Sequence, residues 1–257
     1  MKNLRHFLSR YYYGLREEAP VIKSAWQRGL ARVEAAALKK FALPEISLSD
    51  LNLSEDIDLG EPILENICMP PHQKIDVTHN DHDDFSPLIA FAKVRQPRII
   101  LELGTAQGNT VANLCRVCPE AHVYTVNAPL GIQTGDITTF QLDAQAIGRV
   151  YRNHGYEARV VQIYENTLHL DLARHLDNQR IDLAIIDACH DAAYVINDFE
   201  KVKPFMNDYG VVFLHDTHPS MKRHLYGSYL GCVKLRRSGC DIRHLSGTWW
   251  GVWTNWP

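Results

Sequence analysis

The segment from Arg98 to Asn127 constrains the fold of this chain more than any other, because strand and helix patterns alternate within it. Ile99 to Leu103 is a short apolar run of β-prone residues, of the kind buried in a parallel sheet. Gly104 and Gly108 then mark a turn, helix-compatible sequence follows, and a second apolar run ends at Asn127. A strand, a tight turn, a helix and a second strand in this order predict a βα unit of a parallel sheet.

The glycine-marked turn offers a place for a ligand. Glycines let the backbone approach a bound molecule, and the first turn of a helix has unpaired N–H groups. Glu102, just before the turn, is placed to hold an amine or a ribose hydroxyl. The spacing Glu-x-Gly-x-x-x-Gly differs from the Gly-x-Gly-x-x-Gly of dinucleotide enzymes and lacks the Gly-Lys-Ser/Thr of a P-loop. The turn therefore favours a nucleoside over a pyrophosphate or triphosphate, and an ordinary βα turn is the alternative.

The same alternation continues from Phe85 onward. We predict helices over residues 85–95, 109–118, 138–154, 168–177, 191–206 and 219–230, and strands over 98–103, 122–127, 158–163, 181–187, 210–215, 240–245 and 248–255. This order predicts an α/β fold with a doubly wound, mostly parallel sheet of seven strands that ends in an antiparallel hairpin. In such sheets ligands lie beyond the carboxyl ends of the strands.

Residues 1–84 differ from the rest in composition. Met1 to Phe41 is rich in helix formers and has nine Lys and Arg against three Glu, whereas Asp50 to Asp84 is acidic and interrupted by prolines. We expect an N-terminal helical appendage with an acidic connector over residues 1–84, and a main domain over residues 85–257. The appendage is a candidate cover for the active site, homodimer contact or docking surface for a partner.

Composition excludes several classes of protein. With 46% hydrophobic and 22% charged residues, the chain is expected to be soluble and globular. A net charge of −3 gives no overall attraction to nucleic acid or to acidic membranes. No uncharged apolar stretch is long enough to span a membrane, and charged residues interrupt the N-terminus, so we expect a cytoplasmic protein. The six scattered cysteines favour reduced thiols, and Cys115-x-x-Cys118 lacks a second ligand pair for zinc.

Polar side chains follow two strands that should be neighbours. Asp187 ends the run IIDACHD, with His190 three residues later, and His215 and Asp216 end the run VVFLHDTHP. Because the carboxyl ends of neighbouring parallel strands meet at one edge, two carboxylates and two imidazoles should converge there. The carboxylates suit a hard divalent cation that chelates substrate hydroxyls and lowers the pKa of one of them. The unperturbed pKa of a histidine suits a general base, so His190 is the candidate for that role.

These motifs together resemble those of class I S-adenosylmethionine (SAM) dependent methyltransferases. The turn after the first strand is similar to their motif I, with Ala106 in place of its middle glycine. The Asp-x-x-His at Asp187 and the acidic residue Asp216 are similar to motifs of metal-dependent O-methyltransferases of natural-product sugars, and of their cephalosporin-hydroxylase-like relatives. The similarity spans about residues 85–220. It implies the Rossmann-like methyltransferase fold, in which a terminal hairpin is typical.

The resemblance also implies a SAM site. The implied cofactor contacts are Glu102, Gly104, Thr105, Gly108, Asn109, Asn127, Glu165, Asn166 and Asp187. Asn127 stands where the family usually has an acidic residue that accepts both ribose hydroxyls. An amide in that place forgoes a charge-assisted hydrogen bond, which is stronger than a neutral one by about 1–2 kcal/mol.

A metal site is implied at the second cluster. The candidate ligands are Asp187, Asp216 and His215, with His190 as the catalytic base, and magnesium is the first expectation. His215 departs from the family pattern, which more often has a carboxylate there. Because imidazole is the softer ligand, either His215 turns away, or the site prefers manganese, iron or zinc, or no metal binds.

The sequence therefore predicts methyl transfer from SAM to a hydroxyl of a small, oxygen-rich acceptor, such as a sugar or a glycosylated natural product. Three alternatives stay open. The basic N-terminal segment would suit a methyltransferase that acts on nucleic acid. Enzymes that methylate the amines of bases usually have an Asn/Asp-Pro-Pro-aromatic motif, however, and the sequence at Asp187 lacks it. A non-catalytic partner protein with the SAM fold and a metal-dependent hydroxylase are the other two.

Overall fold

The computed structural model describes residues 30–54, 57–65, 85–132, 142–218 and 226–256. The predictions for residues 1–29 and for Cys68 lie outside these ranges. Among the helices that are described, none combines the length and the apolar character needed to cross a membrane.

The described residues form strands and helices in alternation. The strands are β1 (Glu45–Ile46), β2 (Ile99–Leu103), β3 (His122–Val126), β4 (Val160–Ile163), β5 (Ile181–Ile186), β6 (Met206–Leu214), β7 (Arg243–Leu245) and β8 (Gly251–Thr254). The helices are α1 (residues 30–37), α2 (Phe85–Arg95), α3 (Asn109–Val117), α4 (Arg149–Asn153), α5 (Leu172–Leu176), α6 (Ala192–Val202) and α7 (Tyr226–Arg237).

All eight strands belong to one sheet in the order β1-β7-β8-β6-β5-β2-β3-β4. Neighbours are parallel except that β8 runs antiparallel to both β6 and β7. The predicted doubly wound, mostly parallel sheet with a closing antiparallel hairpin is thus confirmed. It has eight strands rather than seven, because β1 pairs with β7 from outside the predicted main domain.

The strand order reverses between β5 and β2, which is where a doubly wound sheet opens a crevice for a ligand. Leu103, the last residue of β2, is in register with Val126 of β3 and with Ile186 of β5. Ile186 is in turn level with Leu214 of β6. Since these strands end at one level, the residues that follow them lie along one edge of the sheet.

Apolar side chains cover both faces of the sheet. One cluster contains Ile100 and Phe213, and the other contains Leu101 and Phe199. Neighbouring residues of β2 therefore contribute to opposite faces, as the alternation of a strand requires. The buried Trp250 packs edge-on against Phe213 at 5.7 Å between ring centroids, so part of the tryptophan-rich C-terminus belongs to the core.

Residues 57–65, called the strap below, lie along α3. Asn113 binds both backbone groups of Ile63: its Oδ1 accepts from the amide at 3.0 Å and its Nδ2 donates to the carbonyl at 2.8 Å. One turn earlier, Asn109 binds the backbone of Glu65 in the same way, at 2.8 and 3.0 Å. Two asparagine side chains four residues apart thus bind the N–H and C=O groups of the strap, which in a sheet would pair with a neighbouring strand.

The predicted helix over 138–154 is confirmed only over α4 and is wrong over residues 142–148. Residues 142–148 form turns, and the helix there is only α4. Gly148 has a positive φ of 70° and its amide donates to the carbonyl of Ala106 at 2.9 Å, while Val150 donates to Gln107 at 2.9 Å. The backbone of this segment therefore binds the turn after β2 instead of continuing a helix.

Two other helices differ in extent. The helix predicted over 168–177 is only α5, with the Asp171 side chain accepting a hydrogen bond from the Ala173 amide at its N-cap. The helix predicted over 219–230 continues to Arg237, and its described part begins at Tyr226. The five described cysteines are buried, and none of these five is in a disulfide. Burial raises the pKa of Cys115 to about 11 and that of Cys118 to about 12.

Candidate functional site

The turn after β2 is held against the loop after β5. Gly104 has a φ of 114°, which favours glycine, and a Cβ on it would overlap the carbonyl oxygen of Asp187. The Asp187 amide in turn donates to the Leu103 carbonyl at 2.8 Å. Only glycine allows this approach, which brings the predicted cofactor turn into contact with the predicted metal ligand.

Asn127 supports the turn from the neighbouring strand. Its Oδ1 accepts a hydrogen bond from the Ala106 amide at 3.0 Å, and its Nδ2 donates to the Ala128 carbonyl at 3.0 Å. Ala106 has a φ of 44°, so the turn holds a non-glycine residue in the left-handed region. The side chain predicted to bind ribose thus has a structural role, and its ribose contact stays a prediction.

Glu102 lies buried beneath the turn, with 2% of its surface exposed. Its Oε2 accepts a hydrogen bond from Thr125 at 2.6 Å, and the hydroxyls of Thr125 and Thr105 are also 2.6 Å apart. Burial raises the pKa of Glu102 to about 8, against the hydrogen bond from Thr125, which lowers it. The carboxyl group is therefore mostly neutral at pH 7, and it supports the turn rather than presenting a charge to a ligand.

Two residues that the sequence did not single out complete this network. Gln162 of β4 donates to the Thr105 hydroxyl at 3.0 Å, and Tyr151 of α4 donates to Gln162 Oε1 at 3.1 Å. The signal for Gln162 was present, because an amide interrupts the otherwise apolar run of β4. A buried polar chain of this kind fixes the geometry of the turn it supports.

The remaining predicted cofactor residues lie at the same edge of the sheet or beside it. Gly108 has a φ of 88° and is the N-cap residue of α3, and Asn109 binds the strap through its side-chain amide. After β4, Glu165 lies 3.4 Å from the His175 imidazole. Asn166 accepts from the Leu168 amide at 2.9 Å and donates to the Tyr194 hydroxyl at 3.3 Å. Their contacts with a cofactor stay predictions.

The two carboxylates and two imidazoles converge as the sequence predicts, in a group that we call the quartet: Asp187, His190, His215 and Asp216. His190 Nε2 lies 2.7 Å from Asp216 Oδ2 and 3.7 Å from Asp187 Oδ1. His215 Nδ1 lies 3.3 Å from Asp187 Oδ1 and 3.4 Å from Asp216 Oδ1. The Asp187 side chain is 38% exposed and that of Asp216 only 3%, so the quartet opens to solvent on the Asp187 side.

Each charge in the quartet supports the opposite one. Burial opposes the charged form of His190, but hydrogen bonds and charges of Asp187 and Asp216 outweigh it and raise the pKa to about 9. The pKa of His215 lies well above its ordinary value, since the same carboxylates again outweigh burial. The pKa values of Asp187 and Asp216 are lowered against burial, chiefly by the charge of His215. Without a metal, the quartet at neutral pH is two carboxylates paired with two imidazoliums.

The quartet also has the donors of a divalent metal site. Single ligand atoms of Asp187, His190 and Asp216 all lie within 4.8 Å of one another. Two carboxylate oxygens with an imidazole nitrogen suit magnesium, manganese or iron. The sequence predicted His215 as the third metal ligand, whereas the three residues whose ligand atoms lie close enough together are Asp187, Asp216 and His190. The His215 ring instead packs on Trp250, with 4.4 Å between centroids.

Residues 101–217 match the model of a methyltransferase domain family. No curated protein matches the sequence. Among solved structures, cofactor-bound Rv0187 from MTB shares 15% identity over 87% of this chain and 90% of its own, with a TM-score of 0.50. The O-methyltransferase from Bacillus cereus, in complex with SAH, shares 17% identity over 72% and 83% of the two chains, with a TM-score of 0.48. TomG from Streptomyces achromogenes, an O-methyltransferase of tomaymycin synthesis in complex with SAM, shares 16% identity over 71% and 81%, with a TM-score of 0.47.

The likeness to the Rv0187 structure shows the fold, and the similarity to the methyltransferase domain family covers residues 101–217. That segment begins in β2, includes the glycine-marked turn and ends just after Asp216. It therefore contains both the turn and the quartet.

Proposed function

We propose that this chain, which resembles the class I SAM-dependent methyltransferases, methylates a hydroxyl oxygen of a small, oxygen-rich acceptor, such as a sugar or a glycosylated natural product. The observation that carries the proposal is the contact of the glycine-marked turn with the Asp187 backbone. It puts the turn, which is the proposed cofactor site, next to the two carboxylates and two imidazoles of the quartet. The acceptor would be a small molecule in the cytoplasm, without nucleic acid.

Bound SAM would supply an electrophilic methyl group on its sulfonium. The residues of this chain hold the turn that faces it: Asn127 binds the Ala106 amide, and the buried Glu102 binds Thr125 below. Because transfer is a direct displacement, rate depends mainly on how well the hydroxyl and the methyl group are aligned. The contact between Gly104 and Asp187 fixes the distance between the turn and the quartet, which are the proposed sites of the cofactor and of the acceptor hydroxyl.

Asp187 and Asp216 would hold a divalent cation through their carboxylate oxygens, and the imidazole of His190 beside them would stay outside the ligands of the cation. A bound cation stabilises an alkoxide and so lowers the pKa of a hydroxyl that it binds. We assign His190 Nε2 as the atom that takes the hydroxyl proton, which requires a neutral imidazole. The imidazolium form of His190 is disfavoured when the carboxylates beside it bind a cation instead.

The proposal is tested by titrating metal-stripped protein with SAM, and again with magnesium or manganese present. Transfer of labelled methyl from SAM is then measured on a panel of glycosides and catechols. We expect wild-type protein to bind SAM and to methylate a member of the panel. His190→Ala should bind SAM as the wild type does and lose transfer, by about a hundredfold or more.

His122→Ala is the matched control, because His122 is exposed and begins β3 at the opposite edge of the sheet. It should behave as wild type. Protein that binds no SAM under any condition contradicts the cofactor, and full transfer by His190→Ala contradicts the base. Consumption of oxygen by iron-loaded protein would instead favour a hydroxylase.

A further inference from the structure

One face of α6 carries a polar stripe of four residues: Tyr194, Asn197, Asp198 and Lys201. Their spacing of three, four and seven residues places them on the same side of the helix. Tyr194 and Asp198 are buried. Instead of facing solvent, this stripe faces the turn of residues 166–170, which follows β4 at the carboxyl edge of the sheet.

Lys201 makes the densest contact with that turn. Its Nζ donates to the carbonyl oxygens of Thr167 at 2.9 Å, Leu168 at 2.7 Å and Leu170 at 2.9 Å. A lysine ammonium has three N–H donors, so each of them has one carbonyl of the turn. Hydrogen bonds from a charged donor are about twice as strong as neutral ones. The turn is therefore fixed to α6 through a single side chain.

The other members of the stripe add to this attachment. Asn197 donates to the Thr167 carbonyl at 3.3 Å and to Asp198 Oδ1 at 2.9 Å. The Asp198 carboxyl also has a hydrogen bond with the Thr167 side chain, and burial raises its pKa to about 6. At the start of the stripe, the Tyr194 hydroxyl accepts from Asn166 at 3.3 Å.

The same helix begins at the quartet. Its N-cap residue is Asp191, directly after His190, and the last turn of the helix holds Lys201. One rigid element, α6, thus connects the quartet with the turn of residues 166–170. A site is positioned more accurately by such elements than by loops alone.

From this geometry we propose that Lys201 is a positioning residue of the cofactor site, which acts by holding the turn of residues 166–170 at the carboxyl edge of the sheet. The inference rests on the proposed function, because that function places SAM along this edge. Lys201 itself need not touch the cofactor. Its loss should release three carbonyls and let the turn move away from the position that the cofactor requires.

The test is the affinity for S-adenosylhomocysteine (SAH), measured by isothermal titration for wild-type protein, Lys201→Met and Lys201→Arg. Methionine keeps the length of the side chain and removes its donors. We expect Lys201→Met to bind SAH about tenfold more weakly or worse, since small displacements in a site have large effects. Lys201→Arg keeps a charge and several donors, so it should recover most of the affinity.

Lys203→Met is the matched control, since Lys203 lies two residues after Lys201 and its Nζ approaches Cys240 Sγ at 3.7 Å. It should bind SAH as wild type does. Three results would overturn the inference and leave the proposed function standing. The first is an equal loss of SAH affinity in Lys203→Met and Lys201→Met. The others are no recovery of affinity in Lys201→Arg, and wild-type affinity in Lys201→Met.

A wild-type protein that binds no SAH would overturn the proposed function and this inference with it. If Lys201→Met does not fold, Asn197→Ala replaces it, because that variant removes one donor from the same Thr167 carbonyl. A fewfold loss of SAH affinity in Asn197→Ala supports the inference, and unchanged affinity overturns it.

Discussion

The side-chain oxygen of Asn127 accepts a hydrogen bond from the backbone amide of Ala106 at 3.0 Å. This bond joins the end of β3 to the turn after β2. Ala106 has a positive φ, which costs a non-glycine residue about 1–2 kcal/mol. The neutral amide at position 127 is therefore part of what holds the turn in shape, whether or not it also binds ribose.

Asn127→Ala should lower the free energy of unfolding by about 1 kcal/mol, the usual net contribution of a hydrogen bond. Asn127→Asp keeps an acceptor for the Ala106 amide and should lose less stability, although it gives up the donor to the Ala128 carbonyl. Urea denaturation of the three proteins measures the difference. Equal stability of Asn127→Ala and wild type would show that the bond does not hold the turn.

Glu102→Gln should become more stable relative to wild type as the pH rises. The pKa of Glu102 is raised from 4.5 to about 8 in the folded protein, so the folded state holds its proton more tightly than the unfolded state. Wild-type stability is then lost between these two values, at up to about 1.4 kcal/mol per pH unit, and is constant above the folded pKa. Glutamine has no proton to lose.

The measurement for Glu102 is paired urea unfolding of wild type and Glu102→Gln across this pH range. Other titrating groups are common to both proteins and cancel in the difference. A stability difference that stays constant from about pH 5 to pH 8 would mean that the carboxyl group is ionised in the folded state.

Gly104→Ala should prevent folding or lower the free energy of unfolding by about 3 kcal/mol or more, because the added Cβ meets backbone that cannot rotate away. Gly155→Ala is the control. Gly155 also has a positive φ, of 74°, but a Cβ there meets nothing within 4 Å. In that variant the free energy of unfolding should fall by only about 1 kcal/mol, from the backbone strain of a non-glycine residue at positive φ. Equal effects in thermal unfolding would show that the turn after β2 can shift.

Asn113→Ala should release the strap. The variant loses both hydrogen bonds to the Ile63 backbone, and the Asn113 side chain is fully buried between α3 and the strap. We expect amide hydrogen exchange at Ile63 and Glu65 to increase about tenfold or more. Asn255→Ala, which loses one exposed hydrogen bond to the Asn207 carbonyl, should leave the strap unchanged. Unchanged exchange at Ile63 would contradict this role.

The sequence predicted the central strands well, because β2, β3, β5 and β6 each contain a run of mostly apolar, β-prone residues. It also predicted the convergence of Asp187, His190, His215 and Asp216, since parallel strands that end level must bring their next residues together. Both predictions depend on patterns that are local in the chain or follow from topology.

Other features depend on partners that the sequence does not reveal. An asparagine binds ligand or backbone equally well, so the roles of Asn127 and Asn109 required the structure. The sequence around Lys201 is typical of an exposed lysine on a helix, yet its ammonium group donates to three backbone carbonyls. The helix predicted over 138–154 ignored Gly148, whose backbone binds the turn after β2.

The pairing of β1 with β7 has a consequence for synthesis of the protein. The Ser246 hydroxyl donates to the Glu45 carboxylate across 201 residues, and the backbone of Ile46 pairs beside Leu245. During translation at about 5–20 residues per second, β1 waits on the order of 10–40 s for its partner. A nascent chain therefore emerges from the ribosome with this edge of the sheet unfinished, and the edge is completed only when β7 has followed β1.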